Sequence, residues 1–174
     1  MSNVSFNKVS KFDVQILKAI SELSFRQAFE NDNDPNDFED YIQNAFSLNQ
    51  LLTEIENSNS EFYFMIIPEE KSPVGYIKLN WGPAQSEDLN SSHIELERIY
   101  LLNEFRGKGY GNQLLNHATE IALKKEKEII WLGVWEKNES AIRFYERNGF
   151  RIFGEHFFFI GKDKQRDLLL KLNL

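Results

Sequence analysis

The first third of the chain combines a short extended run with two stretches of helical periodicity. Residues 4–9 fit a strand. Residues 11–29 carry apolar side chains one helical turn apart, and the segment from Pro35 to Leu52 repeats that spacing. The pattern predicts one strand followed by two amphipathic helices.

The middle of the chain alternates between extended runs and turns. Residues 62–67 and 74–81 are rich in β-branched and aromatic side chains, and the proline-flanked segment 68–73 between them is typical of a hairpin turn. Residues 93–102 form a third run of the same kind. These three segments predict an antiparallel meander.

The next two segments predict a helix and a central strand. Residues 109–125 place apolar side chains on one helical face, and residues 129–135 are almost entirely apolar. Together with the run at 93–102 they give the order strand, helix, strand.

The chain closes with a short helix and a hairpin. Asn138 is a good helix N-cap, and Gly149 suits the left-handed position just past the end of a helix. Residues 150–159 and 167–172 are predicted to pair as a β-hairpin. The sum is an α/β fold in which a mixed sheet is flanked by helices.

Composition narrows the class of protein. The 174 residues are 41% hydrophobic and contain no linker or repeat, which predicts one domain over residues 1–174. The net charge of −7 disfavours nucleic acids and acidic membranes as partners. A polar N-terminus and the lack of a long apolar window predict a cytoplasmic protein.

The residue inventory also limits the chemistry. The chain has no cysteine, which excludes disulfides and any cysteine that would carry an acyl group. His93, His117 and His156 lack metal-ligand spacing and are predicted to be structural or exposed, so no metal site is expected.

The sharpest motif is the turn Arg106-Gly107-Lys108-Gly109-Tyr110-Gly111, between a predicted strand and a predicted helix. Such a turn directs free backbone N–H groups and a helix dipole at one point, which suits a pyrophosphate. The alternative is a tight turn with solvated basic residues. The turn lacks the Lys-Ser/Thr pair of a P-loop, and its glycine spacing differs from that of a dinucleotide-binding loop.

Three groups of residues resemble the GCN5-related N-acetyltransferase (GNAT) family. They are Leu96-Glu97-Arg98-Ile99-Tyr100-Leu101, the Arg106-x-x-Gly109-x-Gly111 turn, and the set Asn138, Ala141, Phe144-Tyr145 and Gly149-Phe150. Within the family the whole chain is most similar to PaiA-type spermidine/spermine N-acetyltransferases. The resemblance implies about seven strands with a central splayed parallel pair, and about four helices.

The resemblance also implies acetyl-CoA as cosubstrate and assigns roles to residues. The backbone of Ile99, Tyr100 and Leu101 would pair with the pantetheine arm at a β-bulge. Tyr145 would lie near the sulfur as a general acid, and Asn138 would contact the cofactor or the strand opening. The alternative roles are a packed aromatic side chain for Tyr145 and a helix cap for Asn138. The implied cofactor-binding set is Ile99, Tyr100, Leu101, Arg106, Gly107, Lys108, Gly109, Tyr110, Gly111, Asn138 and Tyr145.

An alkylammonium must lose a proton before it attacks a carbonyl, so a proton acceptor is expected near the thioester. Glu97 is the candidate base, but Glu95 shares its face of the strand and is not distinguished from it. The acidic stretch from Glu30 to Asp40 could attract a polycation or form a solvated loop and helix start.

The sequence therefore predicts an N-acetyltransferase that acts by direct attack in a ternary complex, with a polyamine as the favoured acceptor. Acetylation of a protein N-terminus or another small amine remains open. Two other functions also remain open: a non-catalytic coenzyme-A-binding module, and a nucleotide-binding or oxidoreductase domain. A homodimer is possible.

Overall fold

The computed structural model describes residues 4–174, which form a seven-stranded sheet with α-helices on both faces. The helices are α1 (Val14–Phe29), α2 (Pro35–Ala45), α3 (Leu48–Glu56), α4 (Tyr110–Lys124) and α5 (Glu139–Arg147). The strands are β1 (Ser5–Lys8), β2 (Ser60–Ile66), β3 (Gly75–Trp81), β4 (His93–Leu101), β5 (Ile129–Trp135), β6 (Arg151–Ile160) and β7 (Asp163–Asn173), in the sheet order β1-β2-β3-β4-β5-β7-β6. The predicted α/β fold is confirmed.

The segment from Pro35 to Leu52 was predicted as one helix and forms two. Asp34 caps α2 by accepting a hydrogen bond from the backbone N–H of Asn36 at 2.9 Å. Ser47 adopts an extended conformation, and its hydroxyl accepts a hydrogen bond from the N–H of Gln50 at 3.2 Å. This second N-cap starts α3 in a new direction. The described residues therefore form five α-helices where about four were expected.

Two apolar layers cover the sheet. Side chains of α4 and α5 pack on one face, and side chains of α1, α2 and α3 pack on the other. Neighbouring strand residues alternate between the layers, so that buried Tyr76 belongs to the α1–α3 layer and buried Ile77 to the α4–α5 layer. Over residues 4–174, every helix is too short or too polar to cross a membrane.

The only parallel pair among the described strands separates soon after it begins. β4 and β5 are paired at His93–Ile129, Ile94–Ile130 and Glu95–Trp131. Beyond Glu95, β4 stays paired with β3 as far as Leu101, and β5 stays paired with β7 as far as Trp135. The facing edges of β4 and β5 therefore part in the middle of the sheet, which confirms the predicted splay.

A β-bulge interrupts β4 just beyond this point. Leu79 of β3 lies opposite Leu96, but the preceding residue, Lys78, lies opposite Arg98, which leaves Glu97 as the extra residue. The predicted position of the bulge, at Ile99 to Leu101, is wrong by at least two residues. The extra residue allows Glu97 and Arg98 to contact charged side chains on the same face of the sheet.

Candidate active site

A cleft of about 1150 Å³ opens where β4 and β5 part. It is bounded by these strands, the first turn of α4, and the helices α1 and α5. All predicted site residues line the cleft except Lys108 and Tyr110. The Lys108 ammonium lies 5.5 Å from the ring centroid of Phe105, and Tyr110 packs against the apolar layer under α4.

The glycine turn presents backbone rather than side chains to this cleft. Gly107 and Gly109 have φ angles of 74° and 84°, a left-handed region that side chains disfavour. A Cβ at either position would meet nothing within 4 Å. Between residues 4 and 174, the N–H groups of residues 107–112 donate no hydrogen bond. The start of α4 therefore offers free donors and the positive end of a helix dipole to an anion.

Arg106 connects this turn to the end of β4. Its Nε donates a hydrogen bond to the carbonyl oxygen of Leu101 at 3.1 Å. The side chain also lines the cleft, as does Arg147 at the end of α5. The glycine turn and the open edge of β4 are thus joined by a direct contact.

Tyr145 is positioned by packing on α5. Its ring centroid lies 5.2 Å from that of Phe144 and 5.6 Å from that of Phe150. The side chain is buried, and in the described part of the chain its hydroxyl makes no hydrogen bond. Burial raises the pKa of Tyr145 well above its usual value, so the hydroxyl stays protonated at neutral pH. It is a free donor beside the cleft.

Asn138 is confirmed as the N-cap of α5. Its side-chain oxygen accepts a hydrogen bond from the N–H of Ala141 at 3.2 Å. Asn138 also lines the cleft, and across residues 4–174 its side-chain nitrogen has no hydrogen-bond partner. The cap therefore leaves its amide N–H groups available.

Glu97 lies in a network of ion pairs. Its carboxylate is 2.6 Å from the Lys78 ammonium and 3.3 Å from the Arg98 guanidinium, and both of these cations also contact Glu54. Burial raises the pKa of Glu97, but the charges of Arg98 and Lys78 outweigh that effect, and the pKa is lowered. These ion pairs make Glu97 a weak proton acceptor.

Glu95 shares the cleft but has different surroundings. It is 3% exposed and accepts hydrogen bonds from the N–H of Ser86 at 2.9 Å and the side-chain nitrogen of Asn80 at 3.2 Å. Burial raises the pKa of Glu95 in spite of these donors. The sequence could not separate the two carboxylates, because their difference comes from other segments: Lys78 pairs with Glu97, and Ser86 donates to Glu95.

Two further residues of the cleft were not identified as site residues from the sequence. Asp167 of β7 and His156 of β6 line the cleft, and the Nε2 of His156 lies 3.5 Å from Asp167 Oδ2. Both residues lie on the C-terminal hairpin, far along the chain from Glu95 and without a motif. Only the order of strands in the sheet brings them to the site.

Comparison with known proteins places these features in a family. Residues 17–150 match the acetyltransferase (GNAT) family. The chain is 39% identical over 171 residues to an N-acetyltransferase in the pepI 3′ region of Lactobacillus delbrueckii subsp. lactis, with 98% of each chain covered. It is 26% identical over 152 residues to the spermidine N(1)-acetyltransferase of Thermoplasma acidophilum, which covers 86% of this chain and 89% of that protein.

A solved structure has the same fold. The crystal structure of PaiA N-acetyltransferase from Thermoplasma acidophilum in complex with coenzyme A superposes with a TM-score of 0.79 and covers 99% of both chains. The sequences are 23% identical, so this likeness bears on the fold alone. Because the family match spans most of the chain and a relative matches it over nearly its full length, the chain belongs to the GNAT family and is an N-acetyltransferase.

Proposed function

We propose that this enzyme transfers the acetyl group of acetyl-CoA directly to a primary amine of a polyamine, such as spermidine or spermine, within a ternary complex. Residues 1–174 act as one catalytic domain in this proposal. The opening between β4 and β5 and the free N–H groups beside it support acetyl-CoA as the donor.

The donor half of the proposal uses backbone groups. The N–H groups of residues 107–112 suit a pyrophosphate, and Arg106 and Arg147 add positive charge to the cleft. The edge of β4 at Ile99, Tyr100 and Leu101 faces the opening, and it can pair with the amides of a pantetheine arm as a strand would. In this arrangement the thioester lies between the two strands.

The acceptor half of the proposal rests on one observation. Asp32, Glu95 and Asp167 line the cleft, and between residues 4 and 174 none of them forms an ion pair with lysine or arginine. Glu97, in contrast, is neutralised by Lys78 and Arg98. Uncompensated carboxylates favour a polycationic acceptor, and the net charge of −7 attracts one over longer distances. The similarity to a spermidine N(1)-acetyltransferase supports the same class of substrate.

The residues suggest how the reaction proceeds. The neutral amine nitrogen attacks the thioester carbonyl carbon, the C–S bond breaks, and the departing sulfur receives a proton from the Tyr145 hydroxyl. After the attack, the remaining proton on the nitrogen returns to the Tyr145 oxygen through water. The proton that the ammonium loses before the attack is taken by a carboxylate, directly or through water. The ion pairs of Glu97 reduce its basicity, so we assign this role to Glu95, whose raised pKa makes it the stronger acceptor.

Replacing Glu95 by glutamine is expected to lower kcat/KM for the amine by about 100-fold, the lower end of the usual range for a general base. The pKa of Glu95 is raised, so wild-type activity should fall as the pH drops through a value above that of an ordinary glutamate. Glu95→Gln should lose this acidic limb of the pH profile.

Glu97→Gln is the matched comparison. Its effect on kcat/KM is expected to be below about tenfold, although loss of its ion pairs should lower the melting temperature. Steady-state kinetics from pH 5 to 9 and thermal melts of both variants provide the measurements. If Glu97→Gln lowers kcat/KM more than Glu95→Gln does, Glu97 is the base.

The acceptor is tested by a panel of amines. Release of free thiol from acetyl-CoA is followed with spermidine, spermine, an aminoglycoside, a peptide with a free N-terminus and a simple alkylamine. We expect the two polyamines to have the highest kcat/KM. If both polyamines are inert while another amine is acetylated, the proposed acceptor is wrong, although the chain remains an acetyltransferase.

A further inference from the structure

Asp167 places a partly exposed carboxylate at the wall of the cleft. Its side chain is 19% exposed, and Oδ2 lies 3.5 Å from the Nε2 of His156. Oδ1 is buried and has no hydrogen-bond partner anywhere in residues 4–174. The carboxylate is therefore short of hydrogen-bond donors, and its exposed part is open to a donor from a ligand in the cleft.

Gly133 gives this carboxylate access to the opening between the strands. A Cβ on Gly133 would stand 3.2 Å from Asp167 Oδ2, closer than most Cβ contacts in proteins. The carboxylate therefore lies over the backbone of β5 at a position where a side chain would displace it. Gly133 and Asp167 both line the cleft, just beyond the last paired residues of β4 and β5.

His156 and Glu87 hold Asp167 from the other side. The Nδ1 of His156 lies 2.7 Å from Oε1 of Glu87, and its Nε2 faces Oδ2 of Asp167. This row of side chains restrains one oxygen of Asp167 and leaves Oδ1 without a partner. The group that the site lacks is a hydrogen-bond donor, and beside a carboxylate a charged ammonium is the strongest such donor.

The chemistry of Asp167 suits a nitrogen that keeps its proton. A carboxylate that binds an ammonium stabilises the charged form, which would oppose attack by the same nitrogen. Glu95 pairs with Trp131, two residues before Gly133 on β5. Strand geometry then separates the backbones at Glu95 and Gly133 by about 8 Å. A spacer of three or four methylene groups, together with the hydrogen bonds that its two nitrogens make to the carboxylates, can span this separation.

We propose that Asp167 binds a second, unreacting ammonium group of the acceptor and thereby selects diamines and longer polyamines over monoamines. This inference rests on the proposed function and adds a specificity residue to it. His156 and Glu87 act as positioning residues in this proposal, because His156 contacts Asp167 and Glu87 contacts His156.

The test compares propane-1,3-diamine with propylamine, which share the reacting end and differ in the second nitrogen. Wild-type enzyme is expected to prefer the diamine in kcat/KM, and Asp167→Asn should reduce this preference at least about tenfold, as expected for one lost charge-assisted bond. Glu155→Gln is the control, because Glu155 is a half-exposed carboxylate on the same hairpin that pairs with Arg166. Its preference should equal that of the wild type.

A second variant distinguishes a lost contact from misfolding. Gly133→Ala keeps every charge and displaces the Asp167 carboxylate, so it should also reduce the preference, with a smaller loss than Asp167→Asn. Thermal melts establish that both variants are folded. An Asp167→Asn enzyme that keeps the wild-type preference, or a wild type that does not prefer the diamine, would overturn the inference.

Binding separates this inference from the proposed function. Calorimetry measures the affinity of propane-1,3-diamine for wild type and Asp167→Asn, each saturated with coenzyme A. The proposed function fails if no polyamine in the panel is acetylated, whereas the inference fails if polyamines are acetylated and Asp167→Asn binds the diamine as tightly as wild type. If wild type acetylates no polyamine in the panel and does not bind the diamine, both are wrong.

Discussion

Replacing Gly109 by valine is expected to weaken acetyl-CoA binding by about 100-fold or more, equivalent to about 2.7 kcal/mol. Gly109 has a φ of 84°, and a β-branched residue in this region costs about 1–3 kcal/mol. The turn would relieve that strain by rotating its peptide groups, and the N–H groups of residues 107–112 would no longer converge. Isothermal titration calorimetry with acetyl-CoA measures the loss.

Gly82→Val provides the matched control for this experiment. Gly82 also has a positive φ, of 54°, but it lies outside the cleft next to the side chain of Asn59. The control should lower the melting temperature and leave acetyl-CoA affinity near the wild-type value. If Gly109→Val binds acetyl-CoA with wild-type affinity, the turn is not part of the donor site.

Replacing Tyr145 by phenylalanine is expected to reduce kcat about 1000-fold while acetyl-CoA affinity stays within about twofold of wild type, as for loss of a general acid. The ring would keep its contacts with Phe144 and Phe150, so only the hydroxyl is removed. Because burial keeps that hydroxyl protonated, its loss takes away the donor available to the departing sulfur. Steady-state kinetics and calorimetry separate the two quantities.

Tyr63→Phe is the corresponding control, since Tyr63 lies on β2 away from the cleft and its hydroxyl donates a hydrogen bond to Glu61 at 2.8 Å. It should retain wild-type kcat. An unchanged kcat in Tyr145→Phe would exclude Tyr145 as the acid, and an equal fall in both variants would indicate a general loss of stability.

Most of the secondary structure followed from short-range patterns. Runs rich in β-branched, aromatic or other apolar residues predicted the strands from β2 to β5, and the roles of Asn138 and Gly149 at the ends of α5 were confirmed. The prediction failed at Ser47, where apolar spacing continued through a helix break. A serine is compatible with a helix interior and with an N-cap, and packing of α3 on the sheet decides between them.

The candidate site was predictable to the extent that it is local. The turn at residues 106–111 is encoded by consecutive residues, because glycines specify its left-handed backbone and the following apolar spacing specifies α4. The roles assigned to these residues stay predictions until acetyl-CoA binding is measured. The residues of the acceptor half are scattered along the chain and have no such local pattern.

Sequence alone determined the class of fold, the glycine turn at residues 106–111 and the position of Tyr145, because each depends on residues close together in the chain. Tertiary structure decided the bulge at Glu97, the different basicities of Glu95 and Glu97, and the place of Asp167 over Gly133. The physical reason is that a carboxylate's basicity depends on burial and neighbouring charge. Those are supplied by Lys78, Arg98 and other side chains that meet only when the sheet forms.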